Sequence, residues 1–162
     1  MVAVVKAPLL KKQSITDLPL IHLDKTYWND EWPPTPAKDW EEYQREITKN
    51  EKWIMDGNYG YTLDLRISAC DTVIFLDYSR FICTFRAFKR MIVTPREVRD
   101  DLGLRDKFDP SFLKWVFFFP DRGRKLIIEG LNKHPGKKFF HFKSPRELHR
   151  FLKHLDKKRP SI

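Results

Sequence analysis

Residues 53–90 constrain the fold more than any other part of this chain. They hold two short apolar runs, Trp53-Ile-Met55 and Thr72-Val-Ile-Phe-Leu76, and each stops at an aspartate, Asp56 and Asp77. Such runs are too short and too continuous for amphipathic helices, and they read as strands buried in a parallel sheet. Beyond the second, Phe81, Phe85, Phe88 and Ile92 recur at helical spacing, with Arg86, Lys89 and Arg90 mainly on other faces. That is the pattern of an amphipathic helix with its apolar stripe on the core. Strand, acidic loop, strand and basic helix together make the layout of a small phosphate-handling α/β protein.

The remaining segments extend the alternation. A turn and a strand closing at Asp24 are expected over residues 17–24, and Val2-Ala-Val-Val5 has the composition of a further short strand. Thr35 as N-cap and Pro36 at the first helical position would start a helix with Trp40, Tyr43 and Ile47 on one face. Residues 57–70 read as a loop and short helix carrying Arg66, and residues 94–107 as a charged connector. Asp109-Pro110 caps a helix with Phe112, Trp115, Val116 and Phe119 inward, which Pro120 is expected to break or kink before it resumes at Leu126. Lys138–Phe142 is a last strand. Ser144-Pro-Arg-Glu147 is a capping box opening a helix with Leu148, Phe151, Leu152 and Leu155 in register. Alternating strands and helices imply one α/β domain over residues 1–162, its parallel sheet covered on both faces. Ligands of such sheets bind at the carboxyl ends of strands, where Asp24, Asp56 and Asp77 fall.

Composition narrows the partners. The net charge of +9, with 31 basic against 22 acidic residues, favours a polyanion: a nucleotide's phosphates or a nucleic acid. No run reaches the roughly 18–20 apolar residues of a membrane span. Two cysteines without a secretory signal point to reduced thiols and a cytoplasmic setting. No Cys/His cluster has zinc-ligand spacing, and His22 reads as a core histidine within a strand. Phosphoryl transfer needs carboxylates, cations and a phosphate cradle. Asp24 and Asp56 supply the first, and Arg86, Arg90, Arg99 and Arg105 the second. Arg86 and Arg90 lie one helical turn apart, a spacing that suits a shared anion or an ordinary solvated face.

From Leu18 to Leu155 the chain resembles the DNA topology modulation (FlaR-related) proteins, a branch of the adenylate-kinase-like P-loop NTPases. The carriers are Leu18-Pro-Leu-Ile-His-Leu-Asp-Lys25 with Trp28, Trp53-Ile-Met-Asp-Gly-Asn-Tyr59, Thr62-Leu-Asp-Leu-Arg66 and Asp71-Thr-Val-Ile-Phe-Leu-Asp77. The Arg86/Arg90 pair, Lys107-Phe-Asp109, Phe112-Leu-Lys-Trp115 and Phe119-Pro120 follow in order. The resemblance implies a three-layer P-loop-like fold with the N-terminal strand central, a lid over about residues 93–109, and an ATP- and Mg²⁺-dependent kinase-like site. In that site Asp24 would face the phosphoryl acceptor and Asp56 would help hold Mg²⁺. Arg86 and Arg90 would meet ATP phosphates with Lys6, Arg99 and Arg105, while Arg66, Asn58 and Lys25 would serve the acceptor.

The chain departs from that family at one place. Its members carry a G-x-x-x-x-G-K-[ST] loop after the first strand, whose backbone N–H groups wrap the phosphates. Here the first glycine is Gly57, Val4 and Val5 stand where glycines would be, and Ala7-Pro8 follows Lys6. Either the loop is lost or the frame misses its true start, and ATP binding is expected to be impaired. A basic nucleic-acid-binding module without catalysis is the alternative. If the first strand is short or absent, the exposed sheet edges would favour self-association.

Overall fold

The structure, a computed structural model, describes residues 2–3, 18–28, 34–93 and 108–157, with side chains only within 18–154. These residues form a five-stranded sheet in the order β2-β3-β1-β4-β5, every pairing parallel. Its strands are β1 (Val2–Ala3), β2 (Leu20–His22), β3 (Ile54–Asp56), β4 (Thr72–Leu76) and β5 (Lys138–Phe142). The helices are α1 (Leu23–Tyr27), α2 (Ala37–Thr48), α3 (Leu63–Ala69), α4 (Arg80–Val93), α5 (Pro110–Lys133) and α6 (Pro145–Lys157), with a 3-10 turn at Gly60–Thr62.

The short first strand is central. Val2 aligns with Asp56 on one side and Ile74 on the other, so two residues join the halves of the sheet. Val4 and Val5, read as part of this strand, lie outside the described residues, as does most of the lid segment 93–109.

Alternate residues of β4 point to opposite faces. Val73 and Phe75 pack with Leu63, Ile67 and Ile127, so α3 and α5 cover one face. Leu76 packs with Phe142, Leu148 and Leu152, with Ile74 and Phe151 alongside, so α6 covers the other. On β3, Met55 closes a third cluster with Leu23 and Trp40. Trp53 flanks both the first and the third cluster, which puts α2 on the face of α3 and α5. The chain is thus an α/β protein with helices on both faces of a parallel sheet. Among the described residues no helix is long and apolar enough to cross a membrane.

Local rules hold at several ends. Asp109 caps α5 through Ser111 N–H at 2.8 Å. Ser144 accepts from Glu147 N–H at 3.3 Å while Glu147 reaches back to Lys143 N–H at 2.7 Å, which fixes the start of α6. Four expectations are corrected. Thr35 does not cap α2; its hydroxyl turns back to the carbonyls of Thr26 and Tyr27, and α2 starts without a side-chain cap. β2 ends at His22, so Asp24 lies in the first turn of α1 rather than at a strand end.

The third correction concerns Pro120, which does not interrupt α5. A mid-helix proline costs about 3 kcal/mol, but both halves are anchored: Phe117, ahead of it, packs against Phe81 and under the Arg80 guanidinium of α4, and Ile127, beyond it, is in the core. The fourth is the apolar stripe of α4. Phe81, Phe85, Phe88 and Ile92 are exposed, whereas Ala87 and Met91 are buried. Periodicity finds a stripe; it does not say what covers it.

Asp77, just past β4, joins three elements. It accepts from Arg124 of α5 at 2.8 Å and from His141 of β5 at 2.9 Å, while its own N–H donates to Phe142 O. Burial pushes this carboxyl up, but the hydrogen bonds from Arg124 and His141 outweigh it and hold it below the ordinary carboxylate range. A depressed folded-state value gives stability that is present above the unfolded carboxyl pKa and is lost as pH falls through the folded one. Asp77→Asn is therefore expected to cost about 1–3 kcal/mol near neutrality and to blunt the loss of stability in acid. Urea denaturation at neutral and acid pH checks this; equal stability of the two proteins at neutral pH would remove Asp77 from the account.

Candidate functional site

At the carboxyl ends of β2 and β3 the chain gathers four of its polar residues around one loop. His22 and Asp56 occupy the same register position on adjacent strands, and His22 Nδ1 lies 3.3 Å from Asp56 Oδ2. Asp56 is only 4% exposed, and its Oδ1 is buried without a hydrogen-bond partner among the described residues. Such an orphan is costly in a native core unless something else meets it. Gly57 follows because no side chain fits there: a Cβ would stand 2.7 Å from Leu23 Cβ. This contact sets α1 against the β3 loop and brings Asp24 to Tyr59, whose hydroxyl donates to Asp24 Oδ1 at 2.7 Å. Burial first, and then the Asp24 charge, push the Tyr59 phenol well above its ordinary pKa, so it remains a donor.

Arg66 holds this loop from below. Its side chain is among those with no exposed surface, and it donates to Gly57 O at 2.8 Å, Tyr59 O at 2.6 Å and Thr62 O at 3.4 Å. Burial pulls its pKa down to about 10, against the opposing fields of Tyr59 and Asp56. Thr62 in turn donates to Gln44 of α2 at 3.0 Å. Arg66 thus shapes the loop and offers no surface to an acceptor. Sequence reading missed this role, along with Tyr59, Thr62 and Gln44, because enclosure by residues 57–62 appears only in the fold.

The other expected residues are more scattered. Lys25 is exposed on α1. Asn58 lines a cleft of about 440 Å³ between residues 58–63 and one face of α5. Arg86 lies on exposed α4, with its guanidinium 5.8 Å from the Tyr78 ring centre, and Arg90 follows one turn later. Among the described residues no recorded contact joins Arg86 to the Asp24–Asp56 loop. Lys6, Arg99 and Arg105 lie outside the described residues.

The fit to Mg²⁺ and ATP follows from these groups. The orphaned Asp56 oxygen is a donor of the hard-oxygen kind that Mg²⁺ takes. Among the described residues no three His, Cys, Asp or Glu side chains converge as a complete metal cage, so the ion would keep waters and depend on ligand phosphates. Mg²⁺ would there supply charge neutralisation at the phosphates, with Asp56 as its protein ligand. Comparison of the chain with protein-family models, with curated proteins and with solved structures finds no match.

Two substitutions separate structural from functional roles. Arg66→Met strands the carbonyls of Gly57 and Tyr59 and is expected to cost roughly 2–5 kcal/mol in urea denaturation; a loss well under 1 kcal/mol would contradict the clamp. Asp56→Asn replaces an under-paired buried carboxyl, and its stability in chelator should stay within about 1 kcal/mol of the parent. Mn²⁺ supplied with ADP should raise the melting temperature of the parent and not of the variant. A large loss in chelator would make the His22–Asp56 pair a structural tie instead.

Proposed function

We propose that the chain is a nucleotide-kinase-like, ATP-binding phosphotransferase-type protein of the three-layer P-loop class. On this reading it is related to the DNA topology modulation proteins, and its ATP binding is weakened where a Gly-rich loop is replaced. The observation that carries this reading is the orphaned Asp56 oxygen beside the central strand. β1 lies between β3 and β4, so the chain leaves β1 next to Asp56, where a phosphate-binding loop would follow in that class. A strand order that reverses around β1 also makes a crevice at the carboxyl ends of the strands, the usual ligand position in open parallel sheets.

Within this reading Asp56 holds the divalent ion, and Asp24, oriented by the Tyr59 hydroxyl, faces the acceptor hydroxyl as a proton acceptor. Arg66 acts only through the loop it clamps. Arg86 and Arg90 stand on the helix that leads toward the residues read as a lid. The cytoplasmic setting belongs to the same proposal.

The test is a graft. The chain as it stands should bind Mg·ATP with Kd above about 1 mM in calorimetry, because backbone N–H donors supply most of a phosphate cradle. Replacing residues 4–8 with a Gly-x-x-x-x-Gly-Lys-Ser loop should tighten binding at least about tenfold (about 1.4 kcal/mol), and Asp56→Asn should cancel the gain. A folded graft that still ignores ATP would refute the reading. Steeply salt-dependent duplex binding in its place would favour the basic nucleic-acid module, whose main support is the +9 charge.

A further inference from the structure

The cleft between residues 58–63 and α5 has a composition of its own. Ser111, Lys114, Trp115, Phe118, Arg122 and Leu126 all line it from α5. Their spacing of three and four residues makes them one stripe of the helix. Trp115 and Phe118 remain 51% and 48% exposed on this stripe, where a globular surface usually buries large aromatics. The tip of the Phe119 ring reaches over Gly123, where a Cβ would sit 2.0 Å from its Cζ, and this keeps the ring close to the helix. The cleft's volume of about 440 Å³ falls among those of small-molecule sites.

The charges sort by position. Of the five basic residues in α5, three are paired: Arg124 with Asp77, Lys125 with Glu129 and Lys133 with Asp64. The other two, Lys114 and Arg122, line the cleft, and neither meets a carboxylate among the described residues. Among the described residues no acid lines the cleft; its remaining polar groups include Asn58 and Ser111. Two uncompensated cations beside exposed aromatic faces make a surface that attracts a flat ring bearing negative charge.

We infer that this cleft binds a small planar aromatic anion, its ring against Trp115 and Phe118 and its anionic group between Lys114 and Arg122. The inference rests on the cleft alone and holds whether or not Mg·ATP binds elsewhere. Asn58 and Ser111 supply the hydrogen bonds that would orient the ring substituents.

Calorimetric titration of the full chain without ATP or Mg²⁺ tests the inference, with adenosine monophosphate as the aromatic anion. Adenosine supplies the ring without the charge, and ribose 5-phosphate the charge without the ring. Adenosine monophosphate should bind saturably, with the other two at least about tenfold weaker. The Lys114→Ala/Arg122→Ala double variant should lose at least about tenfold, while Lys125→Ala, on the same helix but paired with Glu129, should change little. Both variants are surface substitutions whose folding circular dichroism verifies. No binding, equal binding of ribose 5-phosphate, or equal loss in Lys125→Ala would overturn the inference, the last two by reducing it to the general attraction of a basic protein.

Discussion

A single guanidinium holds the working end of this sheet in shape. Arg66 has no exposed surface, and its bonds to the carbonyls of Gly57, Tyr59 and Thr62 fold residues 57–62 around it. A buried arginine is expensive unless its donors are used, and here they are used on the carbonyls of the loop and of the turn that follows it. The same loop positions the Tyr59 hydroxyl on Asp24 and leaves Gly57 against Leu23. If the guanidinium were removed, the carbonyls would need other donors, and the relation of Asp24 to Asp56 would go with them.

The second constraint is topological. A two-residue strand stands at the centre of the five-stranded sheet, and among the described residues β3 and β4 meet only through it. The far side of the sheet is better secured: Asp77 ties β4 to α5 and β5, and α6 seals β4 and β5 through Leu148 and Leu152. The β2–β3 side relies on the aromatic cluster of Tyr27, Trp40 and Tyr59, whose rings stand 4.6–5.0 Å apart. The candidate site therefore sits on the side where aromatic packing, rather than a long strand ladder, keeps the parts together. Local opening should be easier there than around β4.

Much of the framework was legible because local signals agreed with the tertiary outcome. The runs at Thr72–Leu76 and Lys138–Phe142 are bounded by turn residues, and the Ser144 capping box fixes a helix start without outside help. Legibility failed where distant residues decide. Arg66 reads as a ligand-binding cation in sequence because nothing local says that residues 57–62 will enclose it. Pro120 reads as a break because the anchors at Phe117 and Ile127 belong to contacts with α4 and the sheet. The α5 cleft was missed for the same reason: its walls are separated by some fifty residues, and its aromatic stripe alone is indistinguishable from a core stripe. Asp56 was readable as a strand-end acid, but only the fold reveals that one of its oxygens is left without a partner among the described residues.

The central claim is that the end of the sheet bearing Asp24 and Asp56 is a divalent-metal and phosphate site. Paramagnetic broadening by Mn²⁺ with ADP, recorded on the backbone amide signals of the isotope-labelled chain, tests it most directly. The account predicts broadening centred on Asp24 and on Asp56 to Asn58, and its loss in Asp56→Asn with the rest of the spectrum intact. Broadening spread over surface carboxylates such as Glu41, Glu46 and Glu129, or unchanged by that substitution, would contradict it.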